Sequence, residues 1–172
     1  PAGFAVAVKL NSADFQKGGF DAEDAVAVVR LLNNEAVDLV EISGGSYESP
    51  AMQGRAQSPG TRLREAYFLD FARDIVAVAA MPVMVTGGIR SRATAEGALT
   101  PEDGRAGVAM VGIAQALAYA PDLPNRWKQR EEVIEVPRVD WKSGLASLAT
   151  MAMTKLQLQR MGRGRNPSFR LW

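Results

Sequence analysis

The sequence predicts an α/β fold made of repeated βα units, and three observations support this prediction. Short apolar runs recur along the 172 residues, and each run has the length of a strand rather than of a helix. Few polar residues interrupt these runs, which is typical of parallel strands that are buried on both faces. Amphipathic helical patterns separate the runs. We therefore expect a parallel sheet whose strands are joined by helices.

The composition is that of a globular protein and excludes several kinds of site. Hydrophobic residues make up 47% of the chain and charged residues 23%, as in ordinary soluble domains. The sequence contains no cysteine and no histidine, so we expect neither thiolate chemistry nor a metal site. A net charge of +1 gives no field for nucleic acid, and no apolar run has the length of a membrane span. These features predict a cytoplasmic protein with neither nucleic acid nor a membrane as partner.

Four apolar runs are predicted to form the strands. They are Phe4–Leu10, Val37–Ile42, Pro82–Val85 and Gly107–Gly112. Four βα units do not close a sheet, because the first and last strands keep unpaired N–H and C=O groups. The chain also starts without methionine, at Pro1, and enters its first strand at once. We therefore expect half of a (β/α)8 barrel, completed by a missing N-terminal half-barrel or by a second chain.

The segments between and after these runs predict helices. Asp21 can cap the first of them, which extends to Asn33, because its carboxylate accepts hydrogen bonds from the free N–H groups of the first turn. The others are Thr61 to about Ala79, Ser91–Leu99, a brief helix that breaks at Pro121, a turn over Pro124–Arg130, and Ser143–Met161. Apolar residues at helical spacing predict the buried faces: Val26, Val29 and Leu32 in the first helix, and Phe68, Ala72, Ile75 and Val76 in the second.

Two domains are predicted. Residues 1–130 hold the βα units, and residues 131–172 form a C-terminal helical extension with a basic tail. From Trp141 onward the chain has six basic residues and no acidic one. Such tails are usually solvated or pair with acidic surfaces, so we assign this one no specific role.

A candidate binding site lies where two neighbouring strands end in small residues. The third strand leads into Val85-Thr86-Gly87-Gly88-Ile89-Arg90, and the fourth leads into Val111-Gly112-Ile113-Ala114-Gln115. Glycines let an anion approach backbone N–H groups closely, and (β/α)8 barrels usually bind phosphate after their last two strands. The sequence therefore predicts a phosphorylated ligand here, with Arg90 placed to assist.

A lone lysine, Lys9, stands near the end of the first apolar run, where barrels place catalytic groups. Three interpretations stay open from the residues alone. In the first, Lys9 is a surface lysine whose alkyl chain packs on the protein while its ammonium reaches water. In the second, Lys9 is a Schiff-base nucleophile. The third interpretation is a fixed positive charge beside a cofactor that becomes anionic on reduction, such as a flavin.

The second strand leads into a glycine-rich turn, Ser43-Gly44-Gly45-Ser46-Tyr47-Glu48. Its glycines allow a flat ring to lie against the backbone. Tyr47 is the catalytic candidate, because it is placed to stack on such a ring or to donate a proton. The alternative interpretation is that Tyr47 is an ordinary tyrosine in a turn. Glu41 and Glu48 have no further ligand residue at metal-binding spacing, which again predicts no metal.

As a set, the motifs of the chain resemble the C-terminal half of the NADH:flavin oxidoreductase family related to old yellow enzyme. The matching segments follow the family's strands five to eight and its last helix: Val8–Phe15 with Lys17–Phe20, Asp38–Met52, Arg64–Phe68, Met81–Gly88, Val111–Ala114 with Pro121–Pro124, and Leu158–Gly164. The resemblance covers nearly the whole chain in register. It implies strands five to eight of a TIM barrel, bound FMN, and NAD(P)H as the reductant.

The resemblance also implies the cofactor contacts. The matching residues are Lys9 at the pyrimidine edge of the flavin, Gly87 and Gly88 as backbone donors to the FMN phosphate, and Gly112 to Ala114 at the turn after strand eight. Gln115 stands where the family usually has an arginine. A glutamine keeps hydrogen bonding but lacks the charge and the fork geometry of a guanidinium. The family's substrate-anchoring residues and its tyrosine proton donor belong to the first half of the barrel.

The resemblance thus predicts part of an FMN-dependent oxidoreductase. In the complete enzyme, hydride passes from NAD(P)H through the flavin to an activated alkene or a similar small-molecule acceptor. One alternative is a non-catalytic truncated or split half-barrel. Another shares the fold but needs no flavin, and is a Schiff-base aldolase that uses Lys9.

Overall fold

The computed structural model describes residues 3–12, 19–43, 68–129 and 146–168. Strands and helices alternate in the first part of the described chain, and helices follow in the rest. In chain order they are β1 (Ala7–Asn11), α1 (Ala22–Leu32), β2 (Leu39–Ser43), α2 (Leu69–Val76), β3 (Val83–Thr86), α3 (Arg92–Leu99), β4 (Met110–Gly112), α4 (Gln115–Tyr119), α5 (Leu123–Lys128) and α6 (Ala146–Gly162).

The four strands form one parallel sheet in the order β1-β2-β3-β4. Parallel neighbours need a crossover connection, and α1, α2 and α3 lie in the three crossovers. The register places Lys9 beside Glu41, Glu41 beside Met84, and Met84 beside Met110. The predicted α/β fold of repeated βα units is therefore confirmed.

The first strand begins later than its apolar run predicts. It begins at Ala7 rather than Phe4, because the Val6 N–H donates to the Asp38 side chain (Val6 N to Asp38 Oδ2, 2.7 Å) rather than to a neighbouring strand. Phe4 is 75% exposed. The prediction of burial on both faces is therefore wrong for this outer strand, which pairs only with β2 in the described sheet.

The fourth strand is also shorter than predicted. It begins at Met110 rather than Gly107, because the Val108 N–H still donates to the Ala98 carbonyl of α3 (2.9 Å). Met110 is 50% exposed, so the prediction of full burial is wrong here too. A run of apolar residues specifies a strand, but it does not specify whether a neighbour covers it.

The first helix begins at the predicted cap. The Asp21 carboxylate accepts from the N–H groups of Glu23 (2.9 Å) and Asp24 (3.1 Å), and the Asp24 carboxylate accepts from the Asp21 N–H (3.2 Å). This reciprocal capping box satisfies N–H groups that have no partner within the helix. Ala25 and Val29 form the fully buried face, while the predicted Val26 and Leu32 are only partly buried.

The end of the first helix is tied to the end of the second. Asn33 is the C-cap of α1, so the helix ends one residue before the predicted end. Its side-chain Nδ2 donates to the Val78 carbonyl (2.8 Å), and its Oδ1 accepts from the Ala80 N–H (2.8 Å). One amide therefore satisfies two backbone groups in the connection from α2 to β3.

One face of the sheet packs with α1 and α2 around the main core. The buried residues are Val40, Ile42, Val83 and Val85 from the strands, Ala25, Val29, Ala72 and Ile75 from the helices, and Phe68, which directly precedes α2. The predicted burial of Phe68, Ala72 and Ile75 is confirmed, while Val76 is only partly buried. Residues 61–67 of the predicted second helix lie outside the described residues.

The chain divides into two compact units. The first comprises Pro1–Ile89 and Ala93–Gly112, and the second comprises Arg90–Arg92 and Ile113–Trp172. The predicted domain boundary at residue 130 falls in 130–145, outside the described residues, and stays a prediction.

The second unit has a small core of its own. Its buried members are Ala116, Ala118, Tyr119, Ala120 and Leu123, against which Ile113, Leu117 and Trp127 pack. Pro121 lies between α4 and α5, so the predicted break is confirmed. Near the end of α6, the fully buried Gln157 bonds both backbone groups of Ser168 (Nε2 to O, 3.1 Å; N to Oε1, 2.9 Å). This contact fixes the chain that follows α6.

A buried arginine of the first unit was not anticipated from the sequence. The Arg73 side chain is 3% exposed and joins α2 to the end of α3. It donates to the carbonyls of Gly97 (2.9 Å) and Thr100 (3.4 Å), and it pairs with the exposed carboxylate of Glu102 (2.5 Å). A buried guanidinium is tolerated because it has these partners.

We expect Arg73→Met to lower the free energy of unfolding by about 2–3 kcal/mol, because it removes charge-assisted hydrogen bonds that join α2 to the end of α3. Arg105→Met is the matched control. Arg105 pairs with Asp70 (3.0 Å) and Asp74 (3.5 Å), which belong to α2, the helix that carries Arg73. These ion pairs are exposed to solvent, where a pair contributes less than about 1 kcal/mol. Urea denaturation of both variants measures the difference, and equal losses would contradict this account of Arg73.

Candidate functional site

Alternate residues of a strand point to opposite faces of the sheet. The register aligns one such set across all four strands, on the face opposite the core. We call this the Lys9 face. It consists of Lys9, Asn11, Glu41, Ser43, Met84, Thr86, Met110 and Gly112. Lys9 and Met110 on its outer strands are both about half exposed.

The charged group on this face is an ion pair between neighbouring strands. The Lys9 ammonium donates to Glu41 Oε1, and the two residues are register partners in β1 and β2. The Lys9 side chain is half exposed, whereas the Glu41 side chain is mostly buried. The sequence identified the lysine but missed its carboxylate partner, since that partner depends on the register of β1 against β2.

Two hydroxyl groups lie at the carboxyl ends of the central strands. Ser43 ends β2 and Thr86 ends β3, and both follow the register pair of Ile42 and Val85. Ser43 is 1% exposed and Thr86 is 7% exposed. Neither hydroxyl has a hydrogen-bond partner within the described part of the chain. A buried hydroxyl without a partner costs free energy, so these two positions stand out.

Gly112 provides room for one of these hydroxyls. A Cβ at Gly112 would lie 1.9 Å from Thr86 Oγ1 and 2.6 Å from Met84 Cε. Both neighbours belong to β3, and they extend across β4 on the Lys9 face. The sequence interpretation gave this glycine a role in anion approach. The structure adds a packing role, because only glycine leaves space for Thr86 here.

Gly87 and Gly88 follow Thr86 directly and have backbone angles that favour glycine. Their φ values are +153° and +68°, a region that costs other residues free energy. A Cβ at Gly87 would lie 2.9 Å from Phe68 Cδ2, whereas Gly88 is exposed. An exposed glycine beside a strand end allows close approach to its backbone N–H, as a phosphate site requires.

The remaining candidates from the sequence lie elsewhere. Arg90, Ala114 and Gln115 belong to the second unit, where Gln115 Nε2 donates to Thr154 Oγ1 of α6 at 3.5 Å. Tyr47 lies outside the described residues. The first unit therefore carries Lys9, Gly87, Gly88 and Gly112 on or beside one face of its sheet.

The described residues hold no cluster of three or more side chains able to bind a metal ion. None of the described helices is both long and apolar enough to span a bilayer.

We expect Gly112→Ala to destabilise the protein by about 1–3 kcal/mol, the usual cost of overpacking a filled site. The Thr86 hydroxyl is the nearest clash, so Thr86→Ala in the same chain should recover part of that loss, with a coupling of at least about 0.5 kcal/mol. Thermal unfolding of the single and double variants measures the coupling. Gly97→Ala, whose Cβ would meet nothing within 4 Å, is the control. Additive effects of the two substitutions would contradict this packing.

Curated relatives of the chain share one name, while no family model matches it. An NADH-dependent flavin oxidoreductase of Neonectria sp. (strain DH2) is 36% identical over 133 residues, which is 73% of this chain and 17% of the relative. Enzymes of the same name from Hypocrea jecorina and Aspergillus parasiticus are 35% and 33% identical, over 77% and 70% of this chain and 33% and 26% of their own. The match thus spans between a sixth and a third of each relative. Over about three quarters of its length, this chain is a homologue of the NADH-dependent flavin oxidoreductases.

Proposed function

We propose that this chain is part of an NADH-dependent flavin oxidoreductase of the old yellow enzyme type, with FMN as cofactor and an activated alkene or similar small molecule as acceptor. The observation that carries the proposal is one arrangement in the sheet. The cation Lys9 belongs to β1, and the exposed Gly88 follows the carboxyl end of β3, two strands along the same parallel sheet. The name shared by the relatives supports the flavin and the NADH.

The proposed architecture is half of a (β/α)8 barrel, strands five to eight, with a C-terminal helical extension. Within the described sheet β1 and β4 each pair with one neighbour only, and the side chains of Phe4 and Met110 are exposed; both observations support this architecture. Exposed strand edges readily pair with further strands. The remaining strands would come from an N-terminal half-barrel or from a second chain.

The described residues fit an FMN. The Lys9 ammonium would meet the pyrimidine edge of the ring, and the backbone N–H groups at Gly87 and Gly88 would meet the phosphate. The unpartnered hydroxyls of Ser43 and Thr86 lie on the face between them. By the resemblance alone, Ala114 and Gln115 would also contribute. Bound FMN would supply the hydride chemistry, by accepting hydride from NADH and passing it to the acceptor.

The role of Lys9 in this site is electrostatic. A fixed positive charge lowers the free energy of negative charge that develops on a nearby group. Glu41 holds the ammonium in place and offsets part of its charge. An ammonium already held by a carboxylate is placed to act as a charge rather than as a nucleophile, so the contact favours the flavin role over a Schiff base.

The absorption spectrum of the purified full-length protein tests the proposal. We expect the visible bands of a flavin to co-elute with the protein, to bleach on anaerobic addition of NADH, and to return when an activated alkene is added. Mass analysis of the released cofactor should identify FMN. A colourless protein that takes up no added flavin would overturn the proposal and favour a non-catalytic half-barrel.

Lys9→Met should make the bound flavin harder to reduce. Removing one charge at a partly buried position is expected to cost about 1–3 kcal/mol, which lowers the two-electron midpoint potential by about 20–60 mV. The shift should shrink at high salt, since Lys9 is half exposed and therefore screened. Redox titration with reference dyes measures it.

Glu41→Gln is the matched control for this prediction. It removes the opposite charge from the same ion pair with little change of shape, so the midpoint potential should rise. Equal potentials in the wild type and both variants would remove the pair from the cofactor site.

A further inference from the structure

The connection from α3 to β4 contains a tight turn whose two central residues are an aspartate and a glycine. Glu102 and Arg105 form an antiparallel bridge with two backbone hydrogen bonds (Glu102 N to Arg105 O, 3.0 Å; Arg105 N to Glu102 O, 2.9 Å). Asp103 has a φ of +51° and Gly104 a φ of +75°. Positive φ at both central positions defines a type I′ turn. Among the described residues, Asp103 is the only one other than glycine with a positive φ.

The side chain and the amide at the centre of this turn are free to react with each other. Asp103 and Gly104 are both exposed. Neither the Asp103 carboxylate nor the Gly104 N–H has a hydrogen-bond partner among the described residues. A Cβ at Gly104 would meet nothing within 4 Å, so no neighbouring atom blocks rotation of the peptide plane. The sequence contains no other Asp-Gly and no Asn-Gly pair, which sets Asp103 apart from every other aspartate.

The backbone of the turn suits one reaction of such a pair. The amide nitrogen of Gly104 bonds to Asp103 Cγ, and the amide proton and the carboxyl OH leave as water. The product is a five-membered succinimide ring, which fixes ψ of the aspartate at about −120°, the value at the first central residue of a type II′ turn. That turn also requires a positive φ at this residue, which Asp103 already has. Rotation of one peptide plane converts the first turn into the second, and glycine at the second position accepts the change.

We propose that Asp103 is a site of spontaneous isoaspartate formation. Water opens the succinimide at either of its two carbonyls. Opening at Cγ restores aspartate, whereas opening at the backbone carbonyl gives isoaspartate, in which the main chain continues through Cγ. The water lost in the first step is regained in the second, so isoaspartate has the mass of aspartate and no co-reactant is needed.

The place of the turn in the fold gives this modification a structural consequence. The two ends of the turn carry side chains that bind α2. Glu102 pairs with Arg73, and Arg105 pairs with Asp70 and Asp74. Isoaspartate adds one methylene group to the main chain between these ends, so the bridge from Glu102 to Arg105 loses its present geometry. We therefore expect the modification to loosen the contacts between α2 and this connection.

Ageing of the purified full-length protein in neutral buffer at physiological temperature tests the inference. Protein isoaspartyl methyltransferase esterifies isoaspartate but not aspartate, and peptide mapping locates the labelled residue. We expect label to accumulate in the peptide that contains Asp103, at least about tenfold above any other aspartate-containing peptide, because only this aspartate precedes an unhindered glycine amide.

Three variants separate this geometry from other causes of labelling. Asp103→Glu keeps the charge but must close a six-membered ring, so it should gain no label at this position. Asp103→Asn forms the same succinimide by losing ammonia, which leaves more readily than water, and should gain label faster than the wild type. Asp122→Asn is the matched control. Its next residue is the buried Leu123, so it should gain no label.

The outcomes are distinct. Aged wild-type protein without label at Asp103, or with equal label at other aspartates, would overturn the proposal, even if Asp103→Asn is labelled. Urea denaturation measures the consequence for α2. The denaturation midpoint should fall on ageing in the wild type and stay constant in Asp103→Glu. Label at Asp103 with an unchanged midpoint would confirm the modification and overturn its effect on α2.

Discussion

The parallel register of β1 to β4 is the constraint on which the rest of the structure depends. It places Lys9, Glu41, Met84 and Met110 in one row, so the charge pair forms between residues 32 positions apart in sequence. A slip of one residue in any strand would move its side chains to the opposite face. The same register therefore sets both the apolar core and the composition of the candidate site.

The register acts together with close packing at the strand ends. Thr86 lies over Gly112, and Phe68 lies against Gly87, so glycines adjoin bulky groups on both sides of the β3 terminus. These contacts leave no space for side chains at Gly87 and Gly112. At this strand end the side chains are positioned by packing, whereas Lys9 is positioned by its ion pair with Glu41.

Local patterns in the sequence predicted much of the fold. The strands, the Asp21 cap and the break at Pro121 depend on residues close in sequence, so their signals were readable. The pairing of Glu41 with Lys9, the burial of Arg73 and the position of Ser43 depend on distant segments, and no local pattern encodes them. The same limit explains the error at Phe4 and Met110, since an apolar run does not reveal whether its strand has one neighbour or two. Lys9 and the glycine pair were singled out as site candidates because strand ends in parallel sheets are recognisable in a sequence.

The Asn33 amide bonds the connection that leads from α2 into β3. Arg73 bonds the end of α3, where the chain turns towards β4. These contacts gather at the amino ends of the strands, whereas Ser43, Thr86 and Gly88 lie at or just beyond the carboxyl ends, and Lys9 lies in the middle of β1. Parallel sheets keep these ends apart. Changes at one end can therefore alter ligand choice while the other end maintains folding. In evolutionary terms, such a sheet can acquire new ligand specificity without losing the contacts at the opposite end that keep it folded.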